Sequence, residues 1–560
     1  DITTTIDDFN PVYGQDTYNG LFSNPGVASP SSQQKLAYAL TDFMLGARDS
    51  YSLNNFVIID LKQRMHFAYL QDDFKVSSRL TLNLGIRYEF ATPQWVADNR
   101  LANFDPATNS LIQAKAGSLY DRSLVNPRNN DWAPRLGFAW RALDKTVIRG
   151  GYGISWVHFN RLGGENLLAY NGPNIVNATF NQSPSNLPLC SSSSVPNGGC
   201  FRTTQQGYPA NFAVPANFNP LNAQSRYIPK DNPDGYVQSW HFNIQREITP
   251  TLVVDAAYVG NKSVHLMVLA DYNQAVPNDA TATCNVTVQT GCRSLQARRP
   301  VGNFNTIEVA EGIGFASYHS FQLKVEKRYS NGLYLLNSFT WSKAIDNASG
   351  HLETANGDNS RVNLANLRGE KGLSSYDQTV NNTTAIVWDI PVGRSRKYLG
   401  NANRIVDGVL GGWQFSVINT AVSGLPVNLT YSPTSAFQVS GLPTYRPNIS
   451  GNPVTPGGGV FNYLNPANVS VPTDVSHPFG NAGRNIVRAP GLLQPDLAMH
   501  KQFRLWSEAS KLEFRAEAFN AINRTNLGAP DGNRSNASFG TITSLAGPAR
   551  QVQFGLKLYY

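Results

Sequence analysis

"RLTLNLGIRYEF", residues 79–90, alternates almost without error. Leu80, Leu82, Leu84, Ile86, Tyr88 and Phe90 share one face of an extended chain, and Thr81, Asn83, Gly85, Arg87 and Glu89 share the other. Successive strand side chains point to opposite faces, so the stretch reads as a strand with one apolar and one polar side. The pattern recurs. "YVQSWHFNIQREI" sets Tyr236, Trp240, Phe242 and Ile244 against Ser239, His241, Asn243, Gln245 and Glu247. "HSFQLKVEKR", "KLEFRAEAF" and the closing "QVQFGLKLYY" do the same, and strict period two over such lengths is the strand signal.

These strands fall into hairpins: 64–74 with 80–92, 132–141 with 147–157, 236–247 with 251–262, 317–328 with 333–345, 378–390 with 409–424, and 493–505 with 511–521. A last strand spans 549–559, and a weaker one around "YGQDTYNGLF" (13–22) makes fourteen. Connection length alternates. Links inside hairpins are tight ("KVSSR", "ALDKT", "YSNG"), apart from 391–408, whereas 158–235, 263–316 and 425–492 are long, aperiodic and rich in Pro, Gly, Asn and Ser. A compact soluble domain rarely holds so many long loops. A membrane barrel has short turns at one end and long loops at the other.

Three further features favour the barrel over a soluble sheet. Strands of about ten residues, tilted, span an outer membrane, whereas soluble strands average five or six. Tyr88, Phe90, Trp132, Trp156, Tyr236, Tyr258 and Trp341 lie toward the loop-side ends of apolar faces, as an interfacial girdle requires. Phe554, Leu556, Leu558 and Tyr560 end the chain in the form of a barrel-assembly signal, a final amphipathic strand closing on an aromatic. The fold class expected is all-β: a transmembrane antiparallel β-barrel wall of 13–14 strands over residues 1–560, with three long loops, 158–235, 263–316 and 425–492, outside the cell. Its apolar face meets outer-membrane lipid, and its C-terminus is periplasmic.

The bulk numbers agree. The 560 residues have a mean hydropathy of -0.30 and are 15% charged, with no run approaching the ~20 apolar residues of a spanning helix. The start at Asp1 shows no signal-peptide pattern and reads as a processed or cut end. A net charge of +8 is modest for this length, and its densest run, "GRSRKYLGNANR" (393–404), lacks interleaved aromatics. It reads as a solvated turn, with no nucleic-acid partner expected. The four cysteines form two local pairs, Cys190 with Cys200 and Cys284 with Cys292, without zinc-ligand spacing. They are expected as two disulfides in surface loops.

Catalytic signatures are missing: there is no G-x-S-x-G, H-E-x-x-H or P-loop. "GIGFAS" (312–317) lacks the third glycine of a dinucleotide loop and reads as loop. "DNPDG" (231–235) offers too few ligands for an EF-hand and leaves only weak calcium binding open. The reading is therefore of a non-enzyme with no cofactor and no metal site. Candidate functional groups are the polar-face charges Arg87, Glu89, Lys324, Glu326, Glu513, Arg515, Glu517 and Lys557. They line a wet lumen as cross-strand pairs or, alternatively, hold a plug or a substrate path.

"FAYLQDDFKVSSRLTLNLGIRYEF", "NNDWAPRLGFAWRALDKTVIRGGYGISW", "GVLGGWQFSVINTAVSGLPV", "LLQPDLAMHKQFRL", "KLEFRAEAFNAINRTNLG" and "RQVQFGLKLYY", in this order and spacing, resemble the barrel of Oar-like TonB-dependent receptors. The resemblance runs from about residue 40 to the end. It implies a carboxypeptidase-regulatory-like domain, a plug and a barrel of about 22 strands in the whole protein, of which this chain carries the later barrel. It further implies solute uptake across the outer membrane, folding by the barrel-assembly machinery, and contact with the TonB complex only through a part lying outside this chain. Passive porin, surface adhesin and secreted carbohydrate-binding β-protein are the alternatives.

Overall fold

The computed structural model describes residues 2–6, 11, 13–27, 30–55, 57–158, 167–182, 189–190, 200–279, 284, 291–350, 361–441, 443–506 and 510–560. Thirteen strands follow one another in sequence order, each hydrogen-bonded antiparallel to the next. They are β1 (Met65–Lys75), β2 (Leu80–Ala91), β3 (Asp131–Leu143), β4 (Thr146–Val157), β5 (Gly235–Thr249), β6 (Leu252–Asp271) and β7 (Ile307–Ser330). Then come β8 (Leu333–Asp346), β9 (Val380–Asp389), β10 (Trp413–Val422), β11 (Leu492–Arg504), β12 (Lys511–Phe519) and β13 (Gln551–Tyr559). All six predicted hairpins and the lone last strand are present. β1 and β13 are the two edges of the sheet and do not pair with each other.

Register explains why alternation sorts the faces so cleanly. Leu136 stands opposite Leu84 on one side and Tyr152 on the other, and Tyr152 opposite Trp240. One residue along, Gly137 stands between Asn83 and Gly151, and Gly151 opposite His241. The apolar rows have no protein cover: Leu84 is 42% exposed, Trp341 60% and Leu556 71%. A soluble sheet would bury these side chains.

The hydrophobic cores lie elsewhere, in the connections at the long-loop end. One gathers Ile59, Leu61, Val96, Leu101, Ile175 and Leu269, and another Val427, Leu429, Leu464 and Val487. The described parts of the long links, aperiodic in sequence, thus pack into bodies rather than open loops. Their small sheets join distant pieces, as where Ser50–Asn54 pairs with both Gln15–Thr17 and Asn177–Asn181.

That sheet corrects one expectation, since residues 13–22 add no strand to the large sheet. Only Gln15–Thr17 is extended, and it pairs with Ser50–Asn54. The 263–316 link is also shorter than expected. β6 and β7 stay paired past the membrane-length region, up to Asp271 opposite Glu308, through register shifts around Leu266. "GIGFAS" therefore lies in strand, not loop. Three α-helices among the described residues were not anticipated, one of them the short Leu119–Ser123. α1 (Ser32–Leu45) carries a capping box of Ser31 and Gln34 and ends on left-handed Gly46. α2 (Arg404–Leu410), capped by Asn403, lies in the one long link at the tight-turn end, just after the bends of the basic run.

Candidate functional site

The tight links lie at one end of the sheet, and the described parts of the connections 92–130, 158–234, 272–306, 347–379, 423–491 and 520–550 lie at the other. There the ends of β4 to β8 surround a cleft of about 590 Å³, lined by Trp156, His158, Pro233, His265, Phe315 and Tyr376 among others. Asn232 and Asn347 frame it from loops: Asn232 Oδ1 accepts from the Gly312 amide at 2.8 Å, and Asn347 Oδ1 from the Phe315 amide at 2.9 Å. His265, in the left-handed region at φ 56°, donates from Nδ1 to the Gly312 carbonyl at 3.1 Å.

The glycines of "GIGFAS" serve close approach here. A Cβ at Gly312 would stand 2.7 Å from the Pro233 carbonyl oxygen, and one at Gly314 2.5 Å from that of Leu266. Both are far inside contact distance, so the chain needs glycine for backbone packing and not for a phosphate.

Buried ion pairs stitch the connections around the cleft. Asp271 meets Arg299 at 3.1 Å and accepts from Ser440 at 2.6 Å, joining β6 to the 423–491 connection. Glu308 holds Arg226 at 2.7 Å and Arg361 at 3.2 Å, Glu370 holds Arg446 at 2.9 Å, Asp346 pairs with Arg484, and Asp377 with Arg488. Burial pushes the Arg226 guanidinium down from its usual range, while Glu308 holds it up. Arg298, also buried, is held by the carbonyls of Val276 and Gln438 at 2.6 Å each, and burial with the neighbouring Arg293 lowers it too. Removing one member of such a pair strands a charge away from water, so these contacts fix the loop layer in one arrangement. Sequence reasoning missed all of them. Each is a lone Arg or acid in an aperiodic segment, and its partner is tens to more than a hundred residues away.

The predicted lumen charges sit on the polar face mostly as neighbours two apart along one strand. Arg87 binds Glu89 at 2.8 Å, Lys324 binds Glu326 at 3.0 Å, and Arg515 binds Glu513. Lys557 stands opposite Glu513 with its Nζ 4.6 Å over the Tyr559 ring, and Glu517 stands opposite Gln553. They neutralise one another locally.

The seven aromatics occupy different ladder rows. Tyr88 stands opposite Trp132 with rings 4.7 Å apart, and Trp156 opposite Tyr236 at 5.1 Å. Tyr258 and Trp341 flank Phe321 in a row nearer the tight turns, and Phe90 stacks on His66. In the final strand Phe554, Leu556 and Leu558 are exposed on the apolar face, and Tyr560 is free at the end.

Both expected disulfides are formed, Cys190–Cys200 and Cys284–Cys292. The second packs on Ala436, Phe437 and Val475 of the 423–491 connection. No helix among the described residues is long and apolar enough to cross a membrane, which says nothing of strands.

Residues 2–553 match the model of the family described as "Outer membrane beta barrel domain". No curated protein matches the chain. Solved structures similar to it include the outer membrane transporter YddB from Escherichia coli, at 10% identity and a TM-score of 0.45, covering 91% of this chain and 47% of that one. The ferric citrate transporter FecA matches at 10% identity and a TM-score of 0.37, over 91% of this chain and 46% of that one. The FrpB iron transporter from Neisseria meningitidis matches at 11% identity and a TM-score of 0.36, over 97% and 50%. The chain spans half or less of each of these proteins.

Proposed function

The chain belongs to the outer membrane β-barrel domain family, and from that premise we propose that it is the wall and outer-loop part of an Oar-like TonB-dependent receptor. In this reading the packed loop layer faces outside the cell and captures a solute, and the C-terminal strand ends on the periplasmic side. The whole protein then moves the solute inward, using a plug and TonB contact carried outside this chain. Phe554, Leu556, Leu558 and Tyr560 guide insertion by the barrel-assembly machinery. Tyr88, Trp132, Trp156 and Tyr236 meet the lipid interface, and the paired polar-face charges line the lumen.

The observation that carries the reading is the asymmetry of the fold. A sheet with an uncovered apolar face has mostly short turns at one end and, at the other, ion-paired loop bodies around a cleft of about 590 Å³. A general pore needs no such fixed loop body, whereas a capture surface does. The test compares cells producing the full-length protein with and without a functional TonB complex, following which solutes vanish from a complex medium. Depletion that requires TonB is expected. Equal depletion in both strains identifies a passive porin and overturns the proposal, and no depletion in either points to an adhesin.

A further inference from the structure

Three strand ends meet at the rim of the cleft. Asp131 begins β3, His158 follows the last residue of β4, and Asp234 precedes the first residue of β5. One ligand atom from each lies within 4.8 Å of the others. Asp131 is 1% exposed and its carboxyl group is reached by no hydrogen-bonding side chain but the Asp234 carboxyl, while Nδ1 of His158 lacks a hydrogen-bond partner. That Nδ1 stands 3.7 Å from Asp131 Oδ2.

The other ring nitrogen explains its direction. His158 Nε2 lies 2.9 Å from Glu89 Oε2, and Glu89 is itself held by Arg87 at 2.8 Å. The Glu89 carboxylate accepts a hydrogen bond from Nε2–H, which leaves the Nδ1 lone pair facing Asp131. This is the outer-sphere arrangement that orients metal-binding histidines. Arg87 is engaged by Glu89, and Arg128 acts on Asp131 only through space. The Asp131 and Asp234 carboxylates and an imidazole nitrogen thus converge on one point.

We propose that Asp131, His158 and Asp234 form a binding site for a divalent transition-metal ion, with Glu89 as the positioning residue for His158. One nitrogen and two carboxylate oxygens, with room for water from the cleft, form a three-ligand open site of the kind zinc takes. The imidazole argues against calcium or magnesium, which take oxygen ligands. The ion would tie the mouth ends of three neighbouring strands together beside the cleft that His158 also lines. Sequence reasoning expected no metal site because the three residues are dispersed along the chain, with only "DNPDG" hinting at ligands.

The test uses the full chain in detergent, with a His477→Ala background to remove the exposed His477–Asp474 pair. Zn²⁺ is followed by calorimetry and Co²⁺ by its visible absorption. One Zn²⁺ per chain is expected, with a thermal midpoint raised by Zn²⁺, lowered by EDTA and indifferent to Ca²⁺. Asp131→Asn and His158→Ala should each weaken binding at least about 100-fold, and Glu89→Gln by roughly 10- to 100-fold. If Zn²⁺ neither binds nor moves the midpoint of the unsubstituted cluster, the proposal falls, whatever the variants do. It falls equally if binding is unchanged in Asp131→Asn, or if infrared spectra show a carboxylic-acid band that Asp131→Asn removes at neutral pH with Zn²⁺ present. In that last case a shared proton holds the two aspartates together.

Discussion

Replacing Leu84 by arginine separates a membrane wall from a water-soluble sheet. Leu84 lies mid-strand in β2, opposite Asp72 and Leu136, and is 42% exposed with no protein layer over it. In water such a surface substitution changes stability by about 0.5 kcal/mol or less. In lipid, an arginine near the midplane of a barrel's outer face costs roughly 2–4 kcal/mol, or about 30- to 700-fold in the folding equilibrium. Asn83 is the internal control. It faces the other way, beside Gly137, and its amide donates to Asp73 at 2.6 Å. An arginine there points into the polar face and should cost little; an acid stands across the ladder from both positions, Asp73 from 83 and Asp72 from 84, so the contrast reports the solvent each face meets. The assay is urea unfolding of the full-length protein folded into phospholipid vesicles, read by tryptophan fluorescence and by gel mobility of unheated samples. If Leu84→Arg and Asn83→Arg agree within about 0.5 kcal/mol, the apolar face does not meet lipid and the assignment of faces is wrong.

Arg484→Ala should leave Asp346 buried without its cation. The cost is about 3–5 kcal/mol within the loop layer, seen as new protease cleavage in 423–491 while the sheet stays folded. Gly314→Ala should destabilise by about 1–3 kcal/mol, because its Cβ would meet the Leu266 carbonyl at 2.5 Å. Gly85→Ala should be tolerated, since its nearest neighbour lies at 3.6 Å; chemical denaturation compares the two. Mass spectrometry of unreduced peptides should recover Cys190–Cys200 and Cys284–Cys292, and a membrane-impermeant reductant followed by thiol labelling on intact cells should reach both. Protection from the reagent would place these loops on the periplasmic side.

The wall was legible because one physical rule governs it. Each strand residue chooses between two solvents, and the choice repeats every second position, so "RLTLNLGIRYEF" declares its faces without knowing its neighbours. The mouth was not. Asp271 finds Ser440 and Asp346 finds Arg484 through loops with no period, and nothing local in either segment marks the partner. Short segments misled for the opposite reason. Alternation over "YGQDTYNGLF" is too brief to separate a wall strand from a small accessory one, and Gln15–Thr17 proved accessory. α1 left a readable trace in the capping box of Ser31 and Gln34 and the Gly46 stop. The lumen charges were found individually, but their pairing along single strands follows from side-chain reach, which periodicity does not encode.

The two unpaired margins of the sheet carry a consequence for where the chain can reside. Met65–Lys75 and Gln551–Tyr559 each turn a rank of main-chain N–H and C=O groups outward. Water satisfies such groups, but hydrocarbon does not, and each one left bare there costs several kcal/mol. A nine-residue margin such as Gln551–Tyr559, with about half of its groups facing out, then costs on the order of tens of kcal/mol in a bilayer. That exceeds the net stability of an ordinary domain. Membrane residence is therefore conditional on a seam being closed, either margin to margin or through strands supplied by the whole protein. The girth of the finished barrel is set by what fits between Met65–Lys75 and Gln551–Tyr559.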